Sequence, residues 1–202
     1  MIHRMAVVLM LLLLIVPVSA HAEEVSNGEA KADDVGESAA TGEPTAAEAM
    51  AGTPITGNLF EGRVTRVVDG GTVEIDRHRM HLLGVAAPRR WWWGKPRDCN
   101  SIEAASFLEN AILGKTVGYG YDRVQGLRDS RGIKRIYLYI DGRLINADLI
   151  AGGFVLADRS KEYAERDAFL KLESDANLHL IGLWHSCPVE CSRNAVCRAK
   201  NW

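Results

Sequence analysis

From Glu61 to Val68 apolar and polar positions alternate loosely, and the pattern stops at Asp69-Gly70-Gly71. Alternation of that length marks a strand with one buried face, and Asp-Gly is a turn signal. Thr72 to Ile75 predicts a second strand, Asp76-Arg77 a second turn, and Arg79 to Val85 a third strand that ends at Ala87-Pro88. The period then changes. Ile102, Ala105, Phe107, Leu108 and Ile112 fall at helical spacing, with Asn100 or Ser101 as cap and Gly114 as stop. Strands follow over Thr116 to Tyr121 and Arg135 to Ile140, and Asp141-Gly142 forms a turn. Ile145 to Ala151 predicts a short helix closed by Gly152-Gly153, Phe154 to Ala157 is extended, and Tyr163 to Ile181 predicts a long helix. A five-strand meander interrupted by a helix is the layout of an α+β fold: an OB-type five-stranded barrel with three helices.

The N-terminal part has another character. Arg4 precedes an unbroken apolar run from Met5 to Val16, and Ala20-His21-Ala22 has the small-x-small pattern of a cleavage site, so residues 1–22 are expected to be a signal peptide. The run is short for a membrane span, which needs about 20 residues; the competing reading is an uncleaved anchor. After cleavage no stable membrane insertion is expected, and no Cys follows the run to carry a lipid. Residues 23–57 contain no aromatic residue and eight acidic ones against Lys31 alone. Such a segment cannot bury enough apolar surface to offset its ordering entropy, and it is expected to be a disordered acidic tether. The expected folded domain is therefore 58–184, followed by a cysteine-rich tail over 185–202.

Charge and cysteines sharpen this division. The chain has a net charge of −2, but the part beyond residue 57 holds 22 basic and 18 acidic residues. A basic domain on an acidic leash points to a polyanionic or acidic partner. Cys99, Cys187, Cys191 and Cys197 form an even set in a chain read as exported to the periplasm or outside, which predicts two disulfides. A zinc site is the rival, although no Cys-x-x-Cys pair is present. Pairing Cys187 with Cys191 would close only a tiny loop, so Cys99 is expected to bond to the tail, with Cys187 slightly favoured, and the other two to each other.

Several short motifs, in order and with conserved spacings, resemble the staphylococcal-nuclease (thermonuclease) family. Asp69-Gly70-Gly71-Thr72-Val73 is similar to Asp-Gly-Asp-Thr-Val of that family. His81-Leu82-Leu83-Gly84-Val85-Ala86-Ala87-Pro88-Arg89 resembles Arg-Leu-x-Gly-(Ile/Val)-Asp-(Ala/Thr)-Pro-Glu, and Asp129-Ser130-Arg131-Gly132-Ile133 resembles Asp-x-Tyr-Gly-Arg. Asp141-Gly142-Arg143-Leu144-Ile145-Asn146, Gly153-Phe154-Val155 and Gly182-Leu183-Trp184 complete the resemblance, which runs from about Gly62 to Trp184. It implies an OB barrel and a calcium-dependent phosphodiesterase.

Phosphodiester hydrolysis at neutral pH needs a cation held by oxygen ligands, a base for water and cationic donors for the developing charge. By the resemblance, the two metal-ligand positions are Gly71 and Ala86, the proposed base is Arg89, and the phosphate arginines are His81 and Ile133. None of these side chains meets its requirement, so no calcium or other cofactor and no catalytic residue is expected. A site rebuilt from His78, His81 and Asp69 is disfavoured because strand spacing of three puts the histidines on opposite faces. Candidate binding residues remain. Arg89, Arg90, Trp91, Trp92, Trp93, Lys95 and Arg97 combine cations with aromatic surface in the loop that borders the family's cleft, and Arg128, Arg131, Lys134 and Arg135 form a second basic run facing it. The expected function is a catalytically degenerate binding module for single-stranded nucleic acid, an acidic glycan or a protein; the alternative is a weak or altered phosphodiesterase acting on DNA or RNA.

Overall fold

The computed structural model describes residues 59–90, 94, 96–194 and 196–201. The expected signal peptide and acidic tether lie outside these residues. Strand β1 (Phe60–Asp69) turns into β2 (Thr72–Ile75) and then β3 (His78–Leu82), all antiparallel. After β4 (Val85–Ala86) and helix α1 (Ser101–Ile112), β5 (Thr116–Gly120) pairs with the start of β1 and β6 (Lys134–Ile140) pairs with β5. The ring closes where β3 and β6 run parallel, with His81 opposite Arg135. Closure removes the exposed edges of the sheet and gives the expected five-stranded barrel.

Among the described residues four helices accompany it, one more than expected: α2 (Ile145–Ala151) follows β7 (Arg143–Leu144), and α3 (Arg166–Leu178) and the one-turn α4 (Leu183–Ser186) follow β8 (Leu156–Ala157). The expected long helix over 163–181 is shorter at both ends. At its start the buried Asp122 accepts the Ala164 amide at 2.8 Å and the Tyr137 hydroxyl accepts the Glu165 amide at 3.3 Å, which holds these residues in the turn that precedes the helix. At its end Leu180 takes φ +53 and Gly182 φ +59. A Cβ on Gly182 would come within 2.4 Å of the Gly153 carbonyl oxygen. The two glycines let the chain pass backbone against backbone, and Leu183 N donates to Gly153 O at 2.9 Å.

The third strand is also split. Leu83-Gly84 turns between β3 and β4, and β4 leaves the barrel to pair with β8. Asn100 precedes α1 in a left-handed conformation without capping it; its side-chain amide donates instead to the carbonyls of Gly153 and Phe154 at 3.2 and 3.1 Å. Ile102, expected on the buried stripe of α1, is 37% exposed, and the stripe is Ala104, Ala105, Leu108 and Ile112.

The core fills the barrel with Val64, Val73, Ile75, Leu108, Ile136 and Leu138, and extends under α2 and α3 through Leu149, Ile150 and Phe169. Burying each such side chain contributes about 1.5–3 kcal/mol. Asn146 is fully buried and serves the strands around it: its Oδ1 accepts Leu138 N at 2.9 Å, and its Nδ2 donates to Leu83 O at 2.8 Å and Ile136 O at 3.2 Å. A second, smaller cluster joins Leu156, Leu183, Cys187, Cys197 and Ala199. It is tied by Cys99–Cys187 across 88 residues and by Cys191–Cys197, which closes the hairpin of β9 (Val189–Cys191) and β10 (Cys197–Ala199). All four cysteines are thus paired in the expected connectivity, leaving no thiolate for zinc.

Candidate functional site: an arginine-lined cleft

One cleft of about 1120 Å³ opens beside the β1–β2 turn, β3, and the loops around 89–97 and 131–135. Its position follows from the barrel. The Asp69-Gly70-Gly71 turn is pressed against α1, where a Cβ on Gly70 would lie 2.6 Å from the Ala104 Cβ. The parallel pairing of β3 with β6 brings the 128–133 loop next to His81.

Asp129 organises that loop. Its Oδ1 accepts the amides of Arg131 and Ile133, both at 2.9 Å, and its Oδ2 lies 3.3 Å from His81 Nδ1. Burial on its own would raise the Asp129 carboxyl, but the two amides, His81 and Arg131 outweigh it and hold the group below the usual carboxylate range. His81 moves the other way from a cationic role. Burial, supported by Arg131 and Arg135, pushes its pKa below 6.5 against the pull of Asp129 and Asp69. The imidazole therefore stands neutral at pH 7.

Seven arginines line the cleft: Arg66, Arg79, Arg89, Arg90, Arg97, Arg131 and Arg135. The acids among its lining are Asp69 and Asp158. Five of these arginines have a carboxylate nearby, and for Arg66, Arg79, Arg89 and Arg131 the carboxylate is clearly the more buried partner. Arg89 holds Asp98, which is 10% exposed, and Arg131 is 70% exposed over an Asp129 that is 4% exposed. Arg66 and Arg79 share Glu74 at 3.6 and 3.8 Å, and Arg90 reaches Glu109 at 3.4 Å. A guanidinium has five N–H donors, so one carboxylate behind it leaves donors for a ligand in front.

The expected binding residues divide accordingly. Arg89, Arg90, Arg97, Arg131 and Arg135 meet in the cleft; Trp91, Trp92, Trp93 and Lys95 lie outside the described residues. Arg128 and Lys134 do not line it. The Arg128 guanidinium donates to the Gly132 carbonyl of its own loop at 2.6 Å. Lys134, one residue from Arg135 along β6, points to the opposite face and places its Nζ 5.8 Å from the Tyr121 ring centre. Arg66 and Arg79 belong to the cleft and escape a sequence reading, because each reads as an ordinary solvent-facing position on a strand. A useful signal was their pairing with one residue, Glu74, on the strand between them.

The positions that the resemblance led us to expect at the catalytic centre are placed as follows. Gly71, His81, Arg89 and Ile133 all line the cleft. A Cβ on Gly71 would lie 2.9 Å from the Ala87 Cβ and 3.4 Å from Val85 Cγ2, so the backbone there is closely packed. Ala86 is not part of the lining; it packs on the second cluster while Val85 and Ala87 face the cleft. Asp69 Oδ1 accepts the Gly71 amide at 2.9 Å. Among the described residues no group of three or more His, Cys, Asp or Glu side chains is placed to hold a metal ion.

A barrel of this topology with its cleft between the β1–β2 turn, β3 and the loop before β6 defines a nuclease-type OB domain. The profile described as "Staphylococcal nuclease homologue" matches residues 79–186, more than half of the chain, and the chain belongs to this family. Among curated proteins it is 30% identical over 112 residues to the "Probable endonuclease LCL3" of Debaryomyces hansenii, covering 52% of this chain and 46% of that one. It is 30% identical over 109 residues to the protein of the same name in Komagataella phaffii, covering 52% and 48%. Protein MJ1439 of Methanocaldococcus jannaschii is 26% identical over 150 residues, covering 62% and 72%. The chain thus spans about half the length of the yeast relatives that it matches.

Proposed function

We propose that this chain is an exported binding module whose cleft takes the sugar–phosphate backbone of single-stranded nucleic acid without cleaving it. The observation that carries the reading is the layering of charge: arginine guanidiniums in front, their carboxylates behind. Such a surface attracts successive phosphates without needing a base sequence. The residues at the family's calcium position do not fit the ion. Asp69 is the one carboxylate at the turn and already accepts the Gly71 amide, Gly71 has no room for a side chain without a shift of Ala87, and Ala86 faces the second cluster. Calcium affinity rests on carboxylate count. Arg89 cannot serve as a base at neutral pH. Ile133 has no donor for a phosphate, and a neutral His81 offers no charge. Export is supported by the leader-like residues 1–22 and by the two disulfides.

A second reading, a weak phosphodiesterase, draws on the family itself and on the printed name of the yeast relatives. One assay separates the two. A 5′-labelled single-stranded oligonucleotide is incubated with the protein with calcium or with chelator, and binding is followed by anisotropy and cleavage by gel. Salt-sensitive binding that is indifferent to calcium, with intact oligonucleotide, is the expected result. Calcium-dependent cleavage above buffer overturns it. Binding that only an acidic glycan or a protein produces would move the ligand class and leave the non-cleaving part in place.

A further inference from the structure

The loop of residues 121–133, between β5 and β6, carries two large aliphatic side chains out of the fold: Val124 is 63% exposed and Leu127 57%. We propose that this tip is a contact surface for an anionic lipid bilayer. Val124 and Leu127 enter the boundary between headgroups and acyl chains, and the arginines beside them meet the headgroup phosphates. Neither aliphatic residue lines the arginine cleft, so the inference does not rest on the function proposed above.

The exposure is built into the loop. Asp122 Oδ1 accepts the amides of Val124 and Gln125 at 2.6 and 2.7 Å, and the Leu127 carbonyl accepts the Arg135 amide at 3.1 Å. Gly126, between the two aliphatic residues, takes φ +74, a conformation that favours glycine, and a Cβ there would meet nothing. The backbone thus fixes the tip and holds both side chains away from the core. Polar backbone groups that are already bonded within the fold need no water, which lowers the cost of bringing the tip into an apolar boundary.

The charge around the tip has one outward sign. Arg123, Arg128 and Arg131 lie on the loop, with Lys134 and Arg135 at its foot. The two acids of the loop are turned inward. Asp122 is 5% exposed and also holds the Tyr137 hydroxyl and the Ala164 amide. The Asp129 side chain is 4% exposed and holds the Arg131 and Ile133 amides. Arg131 and Arg135 line the cleft, while Arg123, Arg128 and Lys134 do not. Aliphatic side chains among cations match a surface of anionic heads over hydrocarbon. A nucleic acid would answer the cations alone: its bases stack on aromatic rings, and residues 122–133 hold none. The contact is a surface one, since among the described residues no helix is long and apolar enough to cross a membrane.

The test uses the full chain with one added thiol that carries a polarity-sensitive fluorophore, at Leu127→Cys or, for comparison, at Leu178→Cys. Leu178 is 77% exposed. Asp122 bonds Ala164 just before α3, and the 13 residues of that helix carry Leu178 about 20 Å further on. The vesicles are phosphatidylcholine alone or an equal mixture with phosphatidylglycerol. On the mixed vesicles the label at 127 is expected to shift to the blue at about 50 mM salt and to return at about 500 mM. On phosphatidylcholine alone it is expected to stay unshifted, and the label at 178 to stay unshifted on both. The label reports its own surroundings, so the comparison holds whether or not residues 1–22 grip the vesicle. No shift at 127 overturns the proposal, and so does an equal shift at both positions or on both kinds of vesicle. Adding Val124→Ser to the protein labelled at 127 is expected to raise the lipid concentration for half the shift about tenfold. An unchanged midpoint overturns the entry of the aliphatic tip. Vesicle contact without oligonucleotide binding upholds this inference and rejects the proposed function; oligonucleotide binding without vesicle contact does the reverse.

Discussion

Arg89 grips Asp98 at the neck of the 90–97 loop: its Nε lies 3.1 Å from Asp98 Oδ2 and its Nη2 3.3 Å from Oδ1, while its own amide donates to Oδ2 at 3.0 Å. The carbonyl of Arg89 in turn accepts the Asp98 amide at 2.9 Å. Arg89, which the resemblance led us to expect at the base position, works as a clasp on Asp98, the residue before the disulfide-bonded Cys99. Arg89→Glu puts a carboxylate against Asp98 and opens the clasp. With the guanidinium about a third exposed, the expected loss is about 1–2 kcal/mol, read as a lower urea midpoint. On the proposed reading no calcium-dependent cleavage should appear; cleavage by this single variant would mean that the remaining groups suffice.

Asp122 joins three parts of the fold. It accepts the amides of Val124 at 2.6 Å, Gln125 at 2.7 Å and Ala164 at 2.8 Å and the Tyr137 hydroxyl at 2.8 Å. Burial alone would raise its pKa, but the donors prevail and hold it below the ordinary value. Asp122→Ala leaves several buried donors unsatisfied and should cost about 3–4 kcal/mol, measured by denaturant unfolding. The carboxylate binds fewer protons folded than unfolded. Its contribution is therefore complete above the unfolded pKa of about 3.9 and is lost as pH falls through the lower folded value.

His81 gives the opposite region of the pH curve. Its folded pKa lies below 6.5 because of burial, with Arg131 and Arg135 in the same direction and Asp129 and Asp69 opposed. Below pH 6.5 the unfolded chain takes up this proton while the folded one does not, so stability falls with pH until the folded pKa is reached. The unfolding midpoint of the protein minus that of His81→Gln should fall as the pH drops from about 7.5 to about 5. Parallel curves would reject the shift.

If phosphates sit against the cleft arginines, each neutralised contact lowers the salt slope of binding by about 0.7 for single strands. Arg79→Gln and Arg131→Gln should each flatten the slope by roughly that amount and weaken binding equally for different sequences. Arg128→Gln, whose guanidinium is engaged with its own loop, should leave the slope unchanged. An equal effect of all three would argue for general surface charge.

The disulfides should differ in weight. Cys99–Cys187 spans 88 residues and Cys191–Cys197 spans 6. In the chain-entropy description these contribute about 4–5 and about 2 kcal/mol. Double Cys→Ser variants of each pair, compared by thermal unfolding, should show the larger loss for the first.

The order of the five barrel strands and of three helices, the turns between them, the cysteine set and the family were legible along the chain, because each depends on neighbours in sequence: a period of two, a period of 3.6, an Asp-Gly, a run of motif residues. The helix over 163–181 was misjudged because its apolar period continues past both ends, while Asp122 and Tyr137, distant in sequence, take the first amides and Gly153 forces the exit. The cleft shows the same division. Arg89, Arg90 and Arg97 announce themselves as a basic cluster, and so do Arg128, Arg131, Lys134 and Arg135, but only the side-chain directions separate Arg131 and Arg135 from their neighbours. Arg66 and Arg79 carry no local mark at all. They come to the same cavity because the barrel closes between His81 and Arg135. Sequence alone determined which residue type stands at each position, since composition at a position is independent of folding. Which charges share one space was decided by closure of the barrel, a contact between residues 54 apart that no local pattern encodes.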